Sequence, residues 1–449
     1  MSERTPTPIC DFVRAYAARN PVRLHMPGHK GVDDLGPEPL DITEIDGADA
    51  LFEASGIIAE SEAYASRHFG AHTFYSVEGS SLCIRAMLFL AARRVPSGRR
   101  ARVLAARNVH KAFLSAAALL DLDVSWLYPA SDCGLLASDC TPASVEDALQ
   151  QSDKPFCAVY LTAPDYLGNV PDVAGIATVC HRYGVPLLVD NAHGAYLKFL
   201  PVSRHPIDLG ADLCCDSAHK TLPALTGTAY LHAAQNDRYG FTQNAKDALA
   251  LFGSTSPSYL LLQSLDRLNR TLDDCPKQLS AFVPKIDALR NELHTIGYRL
   301  LGDEPLKLTI DANAYGYTGS ALKEALRSCG IEPEFADPDW LVLMLSPCNS
   351  DEELDRLLTA LRSIKRRKAI IRLQTPYAVP QIACSIRTAM LSESERLPVE
   401  KTCGRVLAQP CVSCPPAVPI VMCGEIIDQS AIERFRYYGT KQLTVLKKG

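Results

Sequence analysis

The sequence predicts an α/β fold with a mostly parallel, seven-stranded sheet, followed by a smaller α/β domain and a C-terminal extension. Two observations lead to this prediction. Between residues 72 and 233, seven short β-rich runs alternate with stretches of helical spacing. After Ser254, apolar residues recur at intervals of three and four, and a shorter strand–helix alternation follows. Alternation of this kind is typical of parallel sheets with helices on both faces.

The first part of the chain contains the strands that should form the large sheet. Helical stretches are predicted between several of them, over residues 81–94, 111–120, 144–151 and 173–183. In open parallel sheets, ligands bind beyond the carboxyl ends of the strands. Candidate functional residues are therefore expected in the loops that follow these strands. The seven runs begin at His72, Ala101, Val124, Phe156, Pro186, Ala211 and Thr228.

The later part of the chain predicts two further pieces. Residues 256–301 have mainly helical spacing. A strand, a helix, a second strand and a second helix are then predicted, over LKLTIDA, SALKEALRSCG, WLVLMLSP and residues 351–364 respectively. From Arg366 the chain is richer in Pro and Cys and ends in the polar tail TKQLTVLKKG. A length of 449 residues fits two or three domains. We predict an N-terminal arm over 1–40, a large domain over 41–255, a small α/β domain over 256–365 and a C-terminal domain over 366–449.

Composition argues against several classes of protein. The 46 Lys and Arg residues and 51 Asp and Glu residues give a formal charge of −5, whereas a nucleic-acid-binding protein needs a basic face. No apolar run approaches the roughly 18 residues that a membrane span requires. The start, MSERTPTPICDFV, lacks the basic and apolar regions of a signal peptide. We therefore expect a cytoplasmic protein with no membrane or nucleic-acid partner.

The sixteen cysteines are scattered, and several lie in apolar runs, which is typical of buried free thiols. A disulfide framework belongs to short secreted chains. One C-terminal set contains a single Cys-x-x-Cys, so a zinc knuckle stays open there as a minor alternative, although we predict no metal site. The set comprises Cys403, Cys411, Cys414 and Cys423.

Two strand ends carry groups that suit an anion and a cation. SVEGSS puts Gly79, Ser80 and Ser81 between a strand and a helix, where free backbone N–H groups and hydroxyls form a phosphate site. A simple serine N-cap is the alternative. Asp190 ends the apolar strand PLLVD, and a carboxylate in a dry site needs a cationic partner such as a protonated pyridine nitrogen. The alternative is a cap of the next element.

Two further strand ends carry a lysine and a histidine. Lys220 follows an apolar strand, between Ser217, His219 and a Gly-Thr pair, where desolvation would let the amine lose its proton and form an imine. A surface lysine is the alternative. His110 follows another strand and starts a helix, so its ring either stacks on a flat cofactor or acts as a polar cap. Together, these strand ends offer a phosphate site, a ring that can stack, a carboxylate that can pair with a pyridine nitrogen, and a lysine that can form a Schiff base. This set of groups indicates pyridoxal 5′-phosphate (PLP).

The chain resembles the bacterial-type ornithine/lysine/arginine decarboxylases, in particular the short members without a receiver-like N-terminal domain. The resemblance extends from about Arg23 to about Glu425, and its most specific strings are Pro-Gly-His-Lys and Asp-Ser-Ala-His-Lys-Thr-Leu-Pro. The motifs are RLHMPGHKG, DITEIDGADALFEASGIIAESE, FGAHTFYSVEGSS, RNVHKA, DNAHGA, DSAHKTLPALTGTAYLH, STSPSYLLLQSLD and CPPAVPIVMCGE.

The resemblance implies a PLP-dependent, aspartate-aminotransferase-like fold and a role for each matching residue. Lys220 would carry PLP as a Schiff base, Asp190 would pair with the pyridine nitrogen, and His110 would stack on the ring. His193 would approach the phenolic oxygen of PLP or the substrate carboxylate, and Glu425 would meet a cationic group at the far end of the substrate. The alternative for Glu425 is a solvated acid at the start of the last helix. The phosphate would be held by Gly79, Ser80, Ser81, Ser217 and His219. The family also implies a homodimer or higher homo-oligomer, in which the segment from Ser254 to Tyr259 reaches the neighbouring site.

The sequence departs from the family pattern at four places. The usual Asn-Gly of the phosphate turn is Glu78-Gly79, and the usual Gly-Asn in the next helix is Leu82-Cys83-Ile84. Asp165 replaces a small hydroxyl residue, and Ala417 replaces the glycine of a Pro-Pro-Gly motif. These departures leave the cofactor residues in place and open the question of the substrate.

The resemblance predicts α-decarboxylation of an amino acid, most simply lysine, ornithine or arginine. PLP acts as an electron sink when CO₂ leaves, and Lys220 or His193 would return a proton to Cα. An aminotransferase of the same fold is the first alternative, but the strand WLVLMLSP lacks the arginine that would grip the α-carboxylate. A PLP-binding regulatory protein without turnover is the second, although such a protein would be expected to have lost Lys220 or Asp190.

Overall fold

The computed structural model describes residues 5–128, 140–372, 379–411 and 419–448, and its strands and helices are numbered in chain order. The strands are β1 (Ala71–Ser76), β2 (Arg102–Ala106), β3 (Asp123–Leu127), β4 (Ala158–Thr162), β5 (Leu187–Asp190), β6 (Leu213–Asp216), β7 (Ala229–Ala234), β8 (Leu300–Leu301), β9 (Lys307–Asp311), β10 (Phe335–Ala336), β11 (Trp340–Met344), β12 (Ser394–Pro398) and β13 (Gln442–Leu446). The helices are α1 (Pro8–Ala18), α2 (Ile57–Phe69), α3 (Gly79–Ala92), α4 (Lys111–Leu119), α5 (Pro142–Gln150), α6 (Val173–Arg182), α7 (Ala218–Thr221), α8 (Ala245–Phe252), α9 (Tyr259–Leu272), α10 (Cys275–Ile296), α11 (Ala312–Tyr315), α12 (Gly319–Ser328), α13 (Asp351–Ser363), α14 (Ile386–Leu391) and α15 (Gln429–Tyr437).

The structure confirms the predicted α/β fold and its mostly parallel, seven-stranded sheet. The chain divides into two compact units, of which unit 1 contains residues 1–94 and 180–280, and unit 2 contains residues 95–179 and 281–449. The domain boundaries proposed from the sequence differ from this division and stay a prediction.

Unit 1 holds four strands of the large sheet in the order β1-β7-β6-β5. Strands β5 and β6 are parallel, with Asp190 opposite Cys215, whereas β7 is antiparallel to both β6 and β1. All residues of β5 and β6 are buried. Continuous apolar strands of this kind are covered on both faces, so the residues that follow their carboxyl ends are the polar groups available for chemistry.

Unit 2 holds the strands β4-β2-β3, which are parallel, and a four-stranded antiparallel sheet in the order β10-β11-β9-β8. Local signals in the sequence set the ends of its helices. Ser350 and Glu353 form a reciprocal capping box at the start of α13, and Thr318 caps α12 through the N–H group of Ala321. The predicted second α/β pattern is thus present within this unit.

The C-terminal part of unit 2 corrects one prediction. The end of the chain was predicted to be a polar tail, but residues Gln442–Leu446 form β13 and pair antiparallel with β12. Leu443 and Val445 alternate with polar residues and are buried in a small core with Phe435 and Val399. The period-two pattern of QLTVL therefore reflects a strand with one buried face.

No helix among the described residues is long and apolar enough to cross a bilayer. The cytoplasmic location expected from the sequence stays a prediction. The possible zinc knuckle includes Cys414, which lies outside the described residues. Within the described ranges, a single group of His, Cys, Asp or Glu side chains has the spacing of metal ligands, and it contains no cysteine.

Candidate active site

The segment after β6 carries the lysine that the sequence singled out. Lys220 lies in the short helix α7, and its Nζ atom is 3.0 Å from Nε2 of His193. The two residues come from the loops after neighbouring parallel strands, β6 and β5. Lys220 is exposed in this chain, so the desolvation predicted from its apolar flanks is not found. The contact with His193 is the feature that distinguishes Lys220 from an ordinary surface lysine.

Asp190 ends β5 and is 2% exposed. Its Oδ1 atom accepts a hydrogen bond from the N–H of Ala192 at 3.2 Å and one from the thiol of Cys215 at 3.6 Å. The bond from Ala192 closes the turn after β5, so the capping alternative considered for Asp190 is also realised. A buried carboxylate at this strand end nevertheless retains acceptor capacity for a cation.

The start of α3 provides the groups of an anion site. Gly79 has φ +68° and donates its N–H to the carbonyl of Gly227 at 2.7 Å. Among the described residues, the N-cap Glu78 makes no side-chain cap to this helix. The hydroxyl of Ser217 donates to Oγ of Ser80 at 2.9 Å, which brings the β6 loop to the same helix start. Uncapped N–H groups and two hydroxyls are the donors that a phosphate prefers.

The departure at Glu78 has a structural explanation. Its Oε1 atom accepts a hydrogen bond from the N–H of Ser254 at 2.5 Å. Ser254 begins the segment that the family resemblance assigned to a neighbouring site. An asparagine side chain is one methylene shorter, so the glutamate gives this turn a longer reach toward that segment.

His219 has a different environment from the one that a phosphate ligand requires. Its Nδ1 atom is 2.7 Å from the carbonyl oxygen of Thr228, so Nδ1 carries a proton and donates it. Burial lowers the pKa of His219 despite this bond. The ring is therefore uncharged at neutral pH and fixes the loop before β7. Its predicted part in phosphate binding stays a prediction.

His110 and Asp165 lie in unit 2. His110 is the N-cap of α4, and its Nδ1 atom accepts the N–H of Ala112 at 3.1 Å, so the polar-cap alternative is correct and stacking stays a prediction. Asp165 is fully buried and accepts the N–H groups of Leu167 and Asn169, each at 2.9 Å. Asp165, one of the departures from the family pattern, therefore stabilises the turn in which it lies.

Glu425 is also in unit 2 and is 1% exposed. Its carboxylate forms a two-pronged ion pair with the guanidinium of Arg107 and accepts the N–H of Met422 at 2.8 Å. The alternative that Glu425 starts the last helix is wrong, because α15 begins at Gln429 with Asp428 as its cap. The substrate role of Glu425 stays a prediction, and the pairing supports an anchoring role instead.

Sequence reasoning missed a buried polar network at the end of β6, the strand that precedes Lys220. Asp216 ends β6, is fully buried and contacts His205, His232 and Asn191. Asp216 and Asn191 stand in the quoted motifs DSAHK and DNAHGA, but no spacing marks them as partners. Their distance along the chain hid the contact, and a polar residue at the buried end of an apolar strand was the available signal.

The chain matches known protein-family descriptions over most of its length. The family description "Orn/Lys/Arg decarboxylase, major domain" matches residues 7–296, and "Orn/Lys/Arg decarboxylase, C-terminal domain" matches residues 365–443. An arginine decarboxylase of Halalkalibacterium halodurans is 32% identical over 97% of this chain and 94% of its own length. One of Bacillus subtilis is 30% identical over 95% and 92%. The constitutive lysine decarboxylase of E. coli has a similar fold, with a TM-score of 0.79, 18% identity and coverage of 98% and 82%. The resemblance stated from the motifs is confirmed.

Proposed function

Because the chain belongs to the Orn/Lys/Arg decarboxylase family, we propose that it is a PLP-dependent enzyme that removes the α-carboxylate of a basic amino acid as CO₂. The observation that carries this proposal is the 3.0 Å contact between Nζ of Lys220 and Nε2 of His193. The same unit contains the buried Asp190, at the end of β5, and the uncapped start of α3. An amine, a proton carrier, a buried acid and an anion site are the groups that the reaction needs.

The donor set of unit 1 fits PLP. A Cβ atom built on Gly79 would meet no described atom within 4 Å, so the start of α3 faces open space rather than packed side chains. The N–H groups of that helix turn and the hydroxyls of Ser80, Ser81 and Ser217 would hold the phosphate. Lys220 would hold the aldehyde carbon covalently, and Asp190 would hold a proton on the pyridine nitrogen.

PLP supplies an electron sink for bond cleavage at Cα when it is bound. Asp190 is 2% exposed, so its negative charge is little screened by water and favours a cation in contact with it. Removal of that charge would remove the reason for the ring nitrogen to stay protonated. Asp190 is therefore assigned the role of proton holder at the ring.

Lys220 and His193 are assigned the transfer of the proton that replaces the carboxylate. Their facing nitrogen atoms are 3.0 Å apart, within the range over which a proton can be shared. Loss of CO₂ leaves an electron pair on the substrate, and a proton delivered to Cα completes the amine. His193 is 7% exposed, so bulk water has little access to its side of the contact.

An aminotransferase is the competing function, and the small antiparallel sheet of unit 2 disfavours it. Strand β11, WLVLM, carries no arginine. Arg372 lies over the ring of Trp340 at 3.8 Å, where it pairs with the carboxylate of Asp311 and lies 3.5 Å from that of Asp339. Its charge is thus balanced by two acids, which does not favour its use as a clamp for a substrate carboxylate.

Among the basic amino acids, we propose arginine as the first substrate to test, because the full-length relatives at 30% and 32% identity are arginine decarboxylases. Purified protein loaded with PLP should release CO₂ and one equivalent of the corresponding amine from arginine, lysine or ornithine. Glutamate and leucine, which lack a cationic end, serve as matched controls. Conversion of a 2-oxo acid into an amino acid, without CO₂ release, would show an aminotransferase instead. If the protein binds PLP but consumes none of the amino acids in the panel, the regulatory alternative would be favoured.

We also propose that the enzyme acts as a homodimer or higher homo-oligomer. Residues 22–35 support this, because this single segment exposes five large apolar side chains, and exposed apolar groups that cluster mark association surfaces. Sedimentation of the full chain tests the proposal, and a monomer at the concentration used for turnover would contradict it. The five residues are Val22, Leu24, Met26, Val32 and Leu35.

A further inference from the structure

A fully buried carboxylate lies at the end of β6, one residue before the segment that carries Ser217 and Lys220. The Oδ2 atom of Asp216 accepts hydrogen bonds from Nε2 of His205 at 3.0 Å and Nε2 of His232 at 3.2 Å. Its Oδ1 atom accepts the side-chain N–H of Asn191 at 2.6 Å. Both oxygens of Asp216 are thus used within unit 1, and the site assigned above does not contain it.

The two histidines could also suggest a metal site, since their nitrogen atoms and the carboxylate lie within 4.8 Å of one another. The partners of the other ring nitrogens argue otherwise. Nδ1 of His205 accepts the N–H of Ile207 at 3.4 Å, so the ring proton is on Nε2 and points at Asp216. Nδ1 of His232 is 2.9 Å from the hydroxyl of Thr73, which can donate to it. Nε2–H groups are donors and cannot at the same time bind a metal.

The surroundings of Asp216 keep its charge unscreened. The Phe69 ring packs 4.4 Å from the ring of His232 and 5.6 Å from that of His205, and all three residues are fully buried. Burial alone raises the pKa of Asp216, but His205 and His232 hold it well below its ordinary value. A buried ion carries a desolvation cost, and apolar residues of similar volume often stabilise a fold equally well. A role for this carboxylate in setting local geometry is therefore the hypothesis to test.

Asn191 connects this carboxylate to the active site. It follows Asp190 directly and precedes His193 by two residues, and its backbone N–H donates to the carbonyl of Cys215 at 3.0 Å. Its side chain folds back over Gly194, where a Cβ atom would lie 1.9 Å from Oδ1 of Asn191. Only glycine allows this conformation. The turn that carries His193 is thus fixed to β6 by both the backbone and the side chain of Asn191.

We propose that Asp216 is a positioning residue that acts through Asn191: it holds the turn after β5 in the one placement in which Nε2 of His193 meets Nζ of Lys220. The proposal rests on the proposed function, because it concerns the residues assigned to proton transfer there. The proposal adds to that function a carboxylate that touches neither substrate nor cofactor. This carboxylate sets the position of the loop after β5 relative to the loop after β6.

The test measures the reactivity of Lys220 in the cofactor-free full chain by brief acetylation with acetic anhydride and peptide mapping. Loss of the contact with His193 should speed labelling of Lys220 by about two- to twelvefold, since one hydrogen bond contributes about 0.5–1.5 kcal/mol. We expect this change in Asp216→Asn and also in Asn191→Ala, which keeps the buried charge and removes only the link. Asp266→Asn is the matched control, because Asp266 is equally buried in unit 1 and binds Cys10 and Ser61 instead.

Lys220 labelling that stays at the parental rate in both variants, as in Asp266→Asn, would overturn the proposal and leave Asp216 a structural residue. If Asp216→Asn does not fold, Asn191→Ala decides alone. Stoichiometric metal that is bound to the parent and absent from Asp216→Asn would also overturn the proposal. In that case Nε2 of His205 and of His232 would be metal ligands and would not carry the protons assigned to them. The labelling needs no cofactor, so its outcome is distinct from failure of the proposed function, which would appear as absent PLP attachment or turnover in the parent.

Discussion

Arg107 and Glu425 form a buried, two-pronged ion pair that ties the end of β2 to the C-terminal part of unit 2. Nη2 of Arg107 lies 3.0 Å from Oε2 of Glu425, and Nη1 contacts Oε1. The guanidinium also lies 5.3 Å from the Trp126 ring centroid and 5.4 Å from that of Tyr128. The side chains of the pair are 9% and 2% exposed. The acid that the resemblance assigns to the substrate cation thus has a strong partner in its own chain.

Glu425→Gln should therefore destabilise the protein. The amide leaves the Arg107 guanidinium buried without its counter-charge, which lowers the free energy of unfolding by about 3–5 kcal/mol. Urea denaturation followed by circular dichroism measures the change. Glu292→Gln is the control, because its pair with Arg362 is half exposed and should change stability by no more than about 1 kcal/mol.

The same variant separates anchoring from substrate binding. Anchoring predicts that the KM for arginine or lysine stays within about twofold of the parent for the folded fraction. A tenfold or greater rise in KM with parental stability would contradict anchoring and would restore Glu425 as the partner of the substrate cation. The double variant Arg107→Met with Glu425→Leu should regain part of the lost stability, since apolar residues can replace a buried pair.

Lys220→Ala should abolish covalent attachment of PLP. Borohydride reduction of the loaded parent fixes the pyridoxyl group on its lysine, and peptide mapping should find the label on Lys220 alone. Lys277→Ala, at an exposed position of α10, should keep both label and turnover. A pyridoxyl label on a different lysine of the parent would show that Lys220 has been assigned wrongly.

Asp190→Asn should keep the fold and bind PLP but lower turnover by at least about a hundredfold, because a neutral amide gives no charge to hold the ring proton. Steady-state CO₂ release measures the effect. Asp212→Asn is the matched control, since Asp212 is buried just before β6 begins, where it accepts the N–H of Leu187 at 2.8 Å. Turnover of Asp190→Asn at the parental rate would refute the assignment.

Asp266 should make stability depend on pH. Burial raises the pKa of its carboxyl from 3.8 to about 6, so the folded chain binds that proton more tightly than the unfolded chain. Because of this difference in proton binding, the contribution of Asp266 to the free energy of unfolding is largest at low pH and is lost as pH rises from about 4 to about 6. Asp266→Asn has no such titration, so its stability relative to the parent should increase by about 2–3 kcal/mol between pH 4 and pH 7. A difference that is constant over this range would contradict the prediction.

The sequence by itself determined the elements of the fold and the ends of the strands that carry chemistry. All seven strands of the large sheet, and the four helices predicted between them, lie within a few residues of the predicted ranges. The reason is local, because side-chain periodicity of two or near 3.6 and the residues that cap helices act within a few positions of one another. Asp190 and Lys220 were found in the same way, as polar residues that interrupt or follow apolar runs. Strand β13 was predicted to be a tail because a five-residue alternation is short and its pairing with β12 joins residues from 44 (Pro398 with Gln442) to 52 (Ser394 with Leu446) positions apart. Elements α1, α2, α8 and β12 were also not predicted from the sequence.

Only the tertiary structure decided which charged groups meet. Arg107 and Glu425 are 318 positions apart, and Asp216 collects partners that lie 11, 16 and 25 positions away. It also decided that Asp165 closes its own turn, where the sequence pointed to the substrate. The physical reason is that a buried charge must find donors in three dimensions, whereas the strand and helix patterns in the sequence record only which face of an element is apolar. The partners of these acids, and hence their roles, follow from the fold as a whole.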